Sequence, residues 1–342
     1  MKRLVVIAGL IAALIVSAIL ALGVGSVSLP THEVITVIAG HLGLNAGAPS
    51  DQLYEQIVWE LRAPRIVAAL AVGSILAVAG AGLQRVTRNI LADPYLLGIS
   101  SGASVGAVTV IVFGVGQGAG PMKIVMFVAA LLGGLGALGM VMLLVGGRLM
   151  EASGTRTILA GVVVGQLCAA YVSLAIMVFA TKDAAVAVLN WTMGSFAGVR
   201  WGDAVITIGV GIISAIAGIW LIKPLDAMAL GDTSAASLGI NVERTRSVVL
   251  IGSALVASVT VATVGPIGFI GLIIPHIVRM IFGGQYAAIM VLSPLLGALF
   301  MLWSDTASRA LVPSREIPVG VVTAVVGAPL LAWLIWRRGG RP

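Results

Sequence analysis

Charge is scarce in this sequence: Asp, Glu, Lys and Arg make up only 10% of its 342 residues, against roughly 25% in a soluble globular domain. With 59% hydrophobic residues the chain has too little polar surface to face water, which excludes a soluble fold and makes lipid its principal solvent. Cysteine is reduced to a single residue, Cys168, inside an apolar run. That excludes an internal disulfide and any Cys/His metal cluster, and Cys168 reads as a small packed residue. Aromatics are sparse (5%) while glycine is frequent (44 residues), a composition that lets helix backbones approach closely in a bilayer.

Catalytic signatures are missing too. None of the lysines (Lys2, Lys123, Lys182, Lys223) follows a glycine, so there is no GxxxxGK[ST] phosphate cradle, and neither HExxH nor GxSxG occurs. The chain is therefore expected not to be an enzyme and to hold no cofactor or metal of its own. Active transport would draw energy from a partner or from an ion gradient. Gradient-driven carriers place ionisable residues within the bilayer, whereas the apolar runs here are interrupted only by His276 and Arg279 near one end and Asp305 near another. A separate ATPase is favoured over a secondary transporter. The net charge of +7 does not point to nucleic acid, because the basic residues are scattered singly between apolar runs.

What is present is a succession of apolar runs of bilayer length. The pattern predicts an all-α, polytopic, single-domain chain (1–342) with about ten spans, at 4–26, 66–84, 94–113, 124–146, 157–180, 204–222, 247–264, 267–283, 287–308 and 319–336. The first run exceeds the apolar core of a signal peptide and reads as a span. A shorter run at 186–198 reads as an interfacial helix. With the N-terminus inside, seven of the 20 basic residues fall outside (Arg62, Arg65, Lys123, Lys182, Arg200, Arg309, Arg315) and the rest inside. That bias predicts N-in and C-in. Two connections are long: 27–60, outside, with His32 and His41, and 223–246, inside. Gly231 and Gly239 divide the second into two short helical pieces. Glycines 98, 102 and 106 share one helix face, as do 161 and 165, which predicts tight helix packing. Arg62 and Arg65, three apart, share a face at the outer mouth of the second span. With Arg309 they could snorkel to headgroups or receive carboxylates from a docked protein.

At these residues a family resemblance emerges. The stretch LRAPRIVAALAVGSILAVAGAGLQRVTRNILADPYLLGISSGASVGA (61–107) resembles the permeases of the iron-siderophore, haem and cobalamin ABC importers, through Arg62, Pro64, Arg65, Gly80, Gln84, Arg88, Asn89, Leu91, the ADP of 92–94, Gly98 and Gly102. GPIGFIGLIIPHIVR (265–279), SDTASR (304–309) and EIPVGVVTAVVGAP (316–329) are similar to further motifs of that family. One departure is Ile90, where the family carries proline. The resemblance implies a bacterial or archaeal cytoplasmic-membrane permease that works as a pair of copies. Two cytoplasmic ATPase subunits would hold the ATP and Mg, and an external binding protein would deliver a metal chelate. An iron-siderophore or haem is favoured, cobalamin is possible, and an oxyanion such as molybdate is the alternative. It also implies that Arg62, Arg65 and Arg309 receive the binding protein. Asp226, Leu230, Gly231, Asp232, Ala236, Leu238, Gly239 and Arg244 would couple to the ATPase. Asn89, Leu91, Ser153, Gly154 and Thr155 would line an inner gate.

Overall fold

The computed structural model describes residues 2–25, 29–43, 51–115, 122–146, 154–312 and 315–339, and among these every regular element is helical. Helix α1 (Lys2–Gly23) is followed by two short helices, α2 (Thr31–His41) and α3 (Gln52–Glu55). Helix α3 runs through a π-helical segment, Gln56–Arg62, into α4 (Ala63–Val86). A 3-10 turn at Pro94–Leu97 leads to α5 (Ile99–Phe113), α6 (Met122–Leu144), α7 (Gly154–Phe179), α8 (Lys182–Thr192) and α9 (Trp201–Trp220). Short helices α10 (Ile222–Ala227) and α11 (Asp232–Ser237), joined by a 3-10 turn at Met228–Leu230, connect to α12 (Val242–Val264), α13 (Ile270–Phe282), α14 (Tyr286–Ala310) and α15 (Val319–Gly339).

Seven helical runs have the length and apolarity to cross a membrane: α1, the continuous α3–α4 run, α6, α7, α9, α12 and α14. The remaining three expected segments coincide with α5, α13 and the first part of α15, which are apolar but shorter. The second span differs most from expectation. It is helical from Gln52 to Val86, where hydropathy alone starts it at 66. Arg62, Pro64 and Arg65 break the apolar run but not the helix. Pro64 lacks an N–H and can stay only near the start of an α-helix, and the wider π turns end just before it. The connection between the first two spans also holds more structure than its polarity suggests, since it contains α2 and α3. The interfacial helix begins earlier than expected, at Lys182, where Thr181 caps it by accepting the Ala184 N–H.

Helix α4 is the axis of the molecule. In its most apolar window 72% of residues are buried, against 11% for α1, so α1 lies at the periphery and α4 at the centre. The middle of α4 (Ala68, Ala69, Val72, Leu76, Ala77) shares a core with Phe196, Val264, Ile270, Ile274 and Met301. Lipid supplies little drive for helices to associate, so contact depends on small residues that let backbones meet. Gly80 lies against the Gly271 backbone of α13 and Gly73 against Gly297 of α14, and a Cβ at either would collide with main chain. Gly102 and Gly106 meet Gly133 and Ala129 of α6 in the same way, which is the tight packing that their spacing predicts.

Candidate functional site

Two clusters of charged residues lie at opposite ends of α4. At its N-terminal end Arg65 is buried and bonds Asp305 of α14, its Nε 2.9 Å from Oδ1 and 3.1 Å from Oδ2, while Nη1 reaches Glu316 Oε2 at 2.8 Å. Arg309, one turn after Asp305, adds a second ion pair at 3.3 Å. A buried carboxylate with two guanidinium groups and a second acid close by meets the requirement that interior charge be paired. Arg62 Nη1 donates to the Leu22 carbonyl at 2.6 Å and Arg309 Nη2 to that of Ala21 at 3.3 Å. These carbonyls belong to the last turn of α1, which has no intrahelical donors for them and no basic residue of its own. The three arginines therefore fasten α1, α4, α14 and the segment before α15 to one another. They are expected at the outer surface, yet their relative exposures are only 6%, 6% and 4%. A guanidinium in an apolar setting needs acceptors, and α1 and α14 supply several of them, although Arg309 Nε and Nη1 have no hydrogen-bond partner among the described residues.

Nearby, the His41 ring stacks on Trp59 at 3.9 Å, and Trp59 meets Trp201 at 4.9 Å. His41 Nδ1 lies 3.1 Å from the Val37 carbonyl. His32 stays exposed beside Glu33.

At the C-terminal end of α4 the α10–α11 connection is anchored. Arg85 Nε donates to the Leu225 carbonyl at 3.0 Å and Nη2 to Asp226 Oδ1 at 3.3 Å. The same Asp226 oxygen accepts the Tyr286 N–H at 3.2 Å. Arg88, in the left-handed region at φ 52, donates to Asp232 Oδ1 at 2.8 Å, and Arg246 to Asp232 Oδ2 at 3.2 Å. Leu225, Met228 and Ala235 are buried in a core with Leu83, Val86 and Ile289. The connection is thus a fixed knob. Gly231 (φ 108) and Gly239 (φ 80) make its corners, in a region that side chains with a Cβ avoid. Leu230 and Leu238 point outward, 69% and 63% exposed. Ala236, Gly239 and Arg244 are exposed as well. The anchoring arginines, 140 to 144 residues distant from their partners in sequence, have no local signal by which sequence could reveal them.

The turn between α4 and α5 lies beside this knob. Asn89 Oδ1 accepts the Leu91 N–H at 2.9 Å, and Leu91 is 38% exposed. Asp93 caps the 3-10 turn by accepting the Tyr95 N–H at 2.8 Å. Burial pushes the Asp93 carboxyl up to about 6, an effect that the Tyr95 N–H opposes. Gly154 and Thr155 open α7, and Ser153 lies outside the described residues.

Comparison with known proteins follows the same outline. The sequence model of the FecCD transport family matches residues 13–337. The chain belongs to the FecCD transport family. Its relatives include the uncharacterized ABC transporter permease protein YvrB of Bacillus subtilis (strain 168), 36% identical over 335 residues, which cover 96% of this chain and 93% of that one. The vitamin B12 import system permease protein BtuC of Vibrio cholerae is 36% identical over 308 residues, 89% of this chain and 90% of BtuC. In structure this FecCD chain resembles a metal-chelate type ABC transporter in an inward-facing conformation, with a TM-score of 0.82 at 30% identity over 97% of this chain and 99% of the other. PsaBC from Streptococcus pneumoniae, at TM-score 0.53 and 20% identity, shares the fold. The protein is an ABC transporter permease of the FecCD type.

Proposed function

We propose that the chain is the membrane subunit of a binding-protein-dependent importer that carries a metal chelate into the cytoplasm along the axis between two copies. The observation that carries this reading is the anchored knob at the C-terminal end of α4. A surface that presents Leu230 and Leu238 from a segment clamped by Arg85 and Arg88 transmits force instead of absorbing it. It suits a cytoplasmic ATPase that binds ATP and Mg and pushes on the membrane helices. In this reading about ten helices cross the bilayer with both termini inside, and α5, α13 and α15 serve as shorter spans where packed neighbours shield their ends. The turn holding Asn89 and Leu91 joins the same helix end to α5, and with Ser153 and the first residues of α7 (Gly154, Thr155) it forms the inner gate. The Arg62–Arg65–Arg309 cluster receives acidic side chains of an external binding protein when docking draws Glu316 or the end of α1 away.

The cargo class rests on the metal-chelate type of the structural relative and the vitamin B12 permeases among the sequence relatives. Iron-siderophore complexes, haem and cobalamin share the bulk that a Gly-rich, sparsely charged wall tolerates without tight binding. A ligand titration of the cognate binding protein, followed by tryptophan fluorescence, tests this. Tight binding of cobalamin, haem or a ferric siderophore is expected. Binding of molybdate with none of the chelates would overturn the cargo assignment.

A further inference from the structure

An apolar groove of about 320 Å³ opens between α9 and α12 over α4 and α14, within the roughly 300–1,000 Å³ range of small-molecule sites. Its walls include Val78, Ile213, Gly218, Gly252, Val256 and Met290. The two serines in the wall are turned into backbone, Ser214 bonding the Val210 carbonyl at 2.7 Å and Ser253 that of Ala79 at 3.4 Å. The lips are open to the bilayer, with Ile213 66% and Leu255 45% exposed. One polar atom has no counterpart. Tyr286 lines the groove, is fully buried, and its hydroxyl has no hydrogen-bond partner among the described residues, a costly state for a buried O–H.

Tyr286 starts α14, Leu221 follows the end of α9 and Val248 lies early in α12, so the hydroxyl sits at the end of the groove where the helices leave the membrane. Exposed basic residues flank that end. Lys223 follows Leu221 by two residues, and Arg244 precedes Val248 by one turn on the same face of α12. The nearby Asp226 is engaged by Arg85 and the Tyr286 N–H. Two exposed cations thus adjoin, in sequence, the groove-lining residues Leu221 and Val248, while the groove itself offers one hydrogen-bond donor and apolar walls, and a phospholipid has the complementary parts of phosphate, ester carbonyl and acyl chain.

We propose that this groove is a binding site for an anionic phospholipid. One acyl chain fills the channel between α9 and α12, its ester carbonyl accepts the Tyr286 O–H, and its phosphate lies at Lys223 and Arg244. The bound lipid wedges α9 against α12 and is independent of the identity of the cargo.

Native mass spectrometry of the full-length chain tests the site, after delipidation and titration with phosphatidylglycerol or phosphatidylcholine of the same acyl composition. One phosphatidylglycerol per chain is expected, preferred at least tenfold over phosphatidylcholine. Gly252→Leu places its side chain into open space, since nothing lies within 4 Å of a Cβ there, and should lower that affinity at least tenfold. Ile213→Trp fills the groove from the opposite wall and serves as the second test should Gly252→Leu not fold. Tyr286→Phe and the pair Lys223→Gln with Arg244→Gln should each weaken binding several-fold. Undiminished phosphatidylglycerol binding in a folded groove-filling variant, equal binding of both lipids, or one lipid per two chains would overturn the proposal.

Discussion

Asp305 shows how a membrane interior can hold charge. It is fully buried, yet Arg65 hydrogen-bonds it, Arg309 forms an ion pair with it and Glu316 balances the second positive charge. The worth of this arrangement lies in what its loss would leave behind. Asp305→Asn strands two guanidinium groups without their shared partner, and removal of one member of a buried ion network costs about 3–5 kcal/mol. A marked fall in thermal stability in detergent is expected, and an unchanged midpoint would show that the cluster carries no structural load. Asp93 makes the opposite case. A carboxyl raised by burial from 3.8 to about 6 contributes stability that is full below its ordinary value and is lost as pH rises through the folded one. Asp93→Asn keeps an acceptor for the Tyr95 N–H and removes that loss. Its stability should exceed that of the native chain by up to about 3 kcal/mol near pH 7, with the difference gone at about pH 4. A pH-independent difference would contradict this account of Asp93.

At the scale of elements, the α10–α11 connection is where force would pass. Leu238→Glu puts a charge on an exposed apolar contact while leaving the buried anchors Leu225, Met228 and Ala235 untouched. Co-purification of the ATPase should fall at least tenfold while the permease elutes as before. Retained ATPase would place the contact elsewhere. Much of this element was readable beforehand, because Gly231 and Gly239 mark its corners in any helical sequence. Its anchoring was not, since Arg85 and Arg88 meet their acids across 140 to 144 residues. The start of the second span misled for a physical reason. Hydropathy counts Arg62 and Arg65 as exposed charge, whereas the fold pairs Arg65 with Asp305 and Glu316, turns Arg62 onto the Leu22 carbonyl and carries the helix back to Gln52. Conversely, the stripe Gly98–Gly102–Gly106 was legible as close packing, although the partner helix α6 was not. Spacing reports a face but never what covers it.

For the whole molecule, the sequence was most informative where lipid imposes its own rule: among the described residues each of the ten apolar runs coincides with a helix, seven of them long enough to cross a membrane. It said least about exposure. The arginines expected to receive a partner are buried and bind α1 to the bundle. Docking at these residues would then be a conformational event, in which a binding protein competes with the contacts of Arg65 to Asp305 and Glu316 and those of Arg62 and Arg309 to the end of α1. Energy would then enter at one end of α4 and substrate at the other, with the tight Gly73–Gly297 and Gly80–Gly271 contacts joining the two ends through helices too closely packed to deform independently. The most direct test of that account is uptake of radiolabelled chelate into proteoliposomes containing this chain and its ATPase, with ATP and Mg on the ATPase side. The account predicts accumulation that requires both ATP and the external binding protein and that persists when a protonophore collapses the proton gradient. Accumulation by the chain alone, abolished by the protonophore, would contradict it.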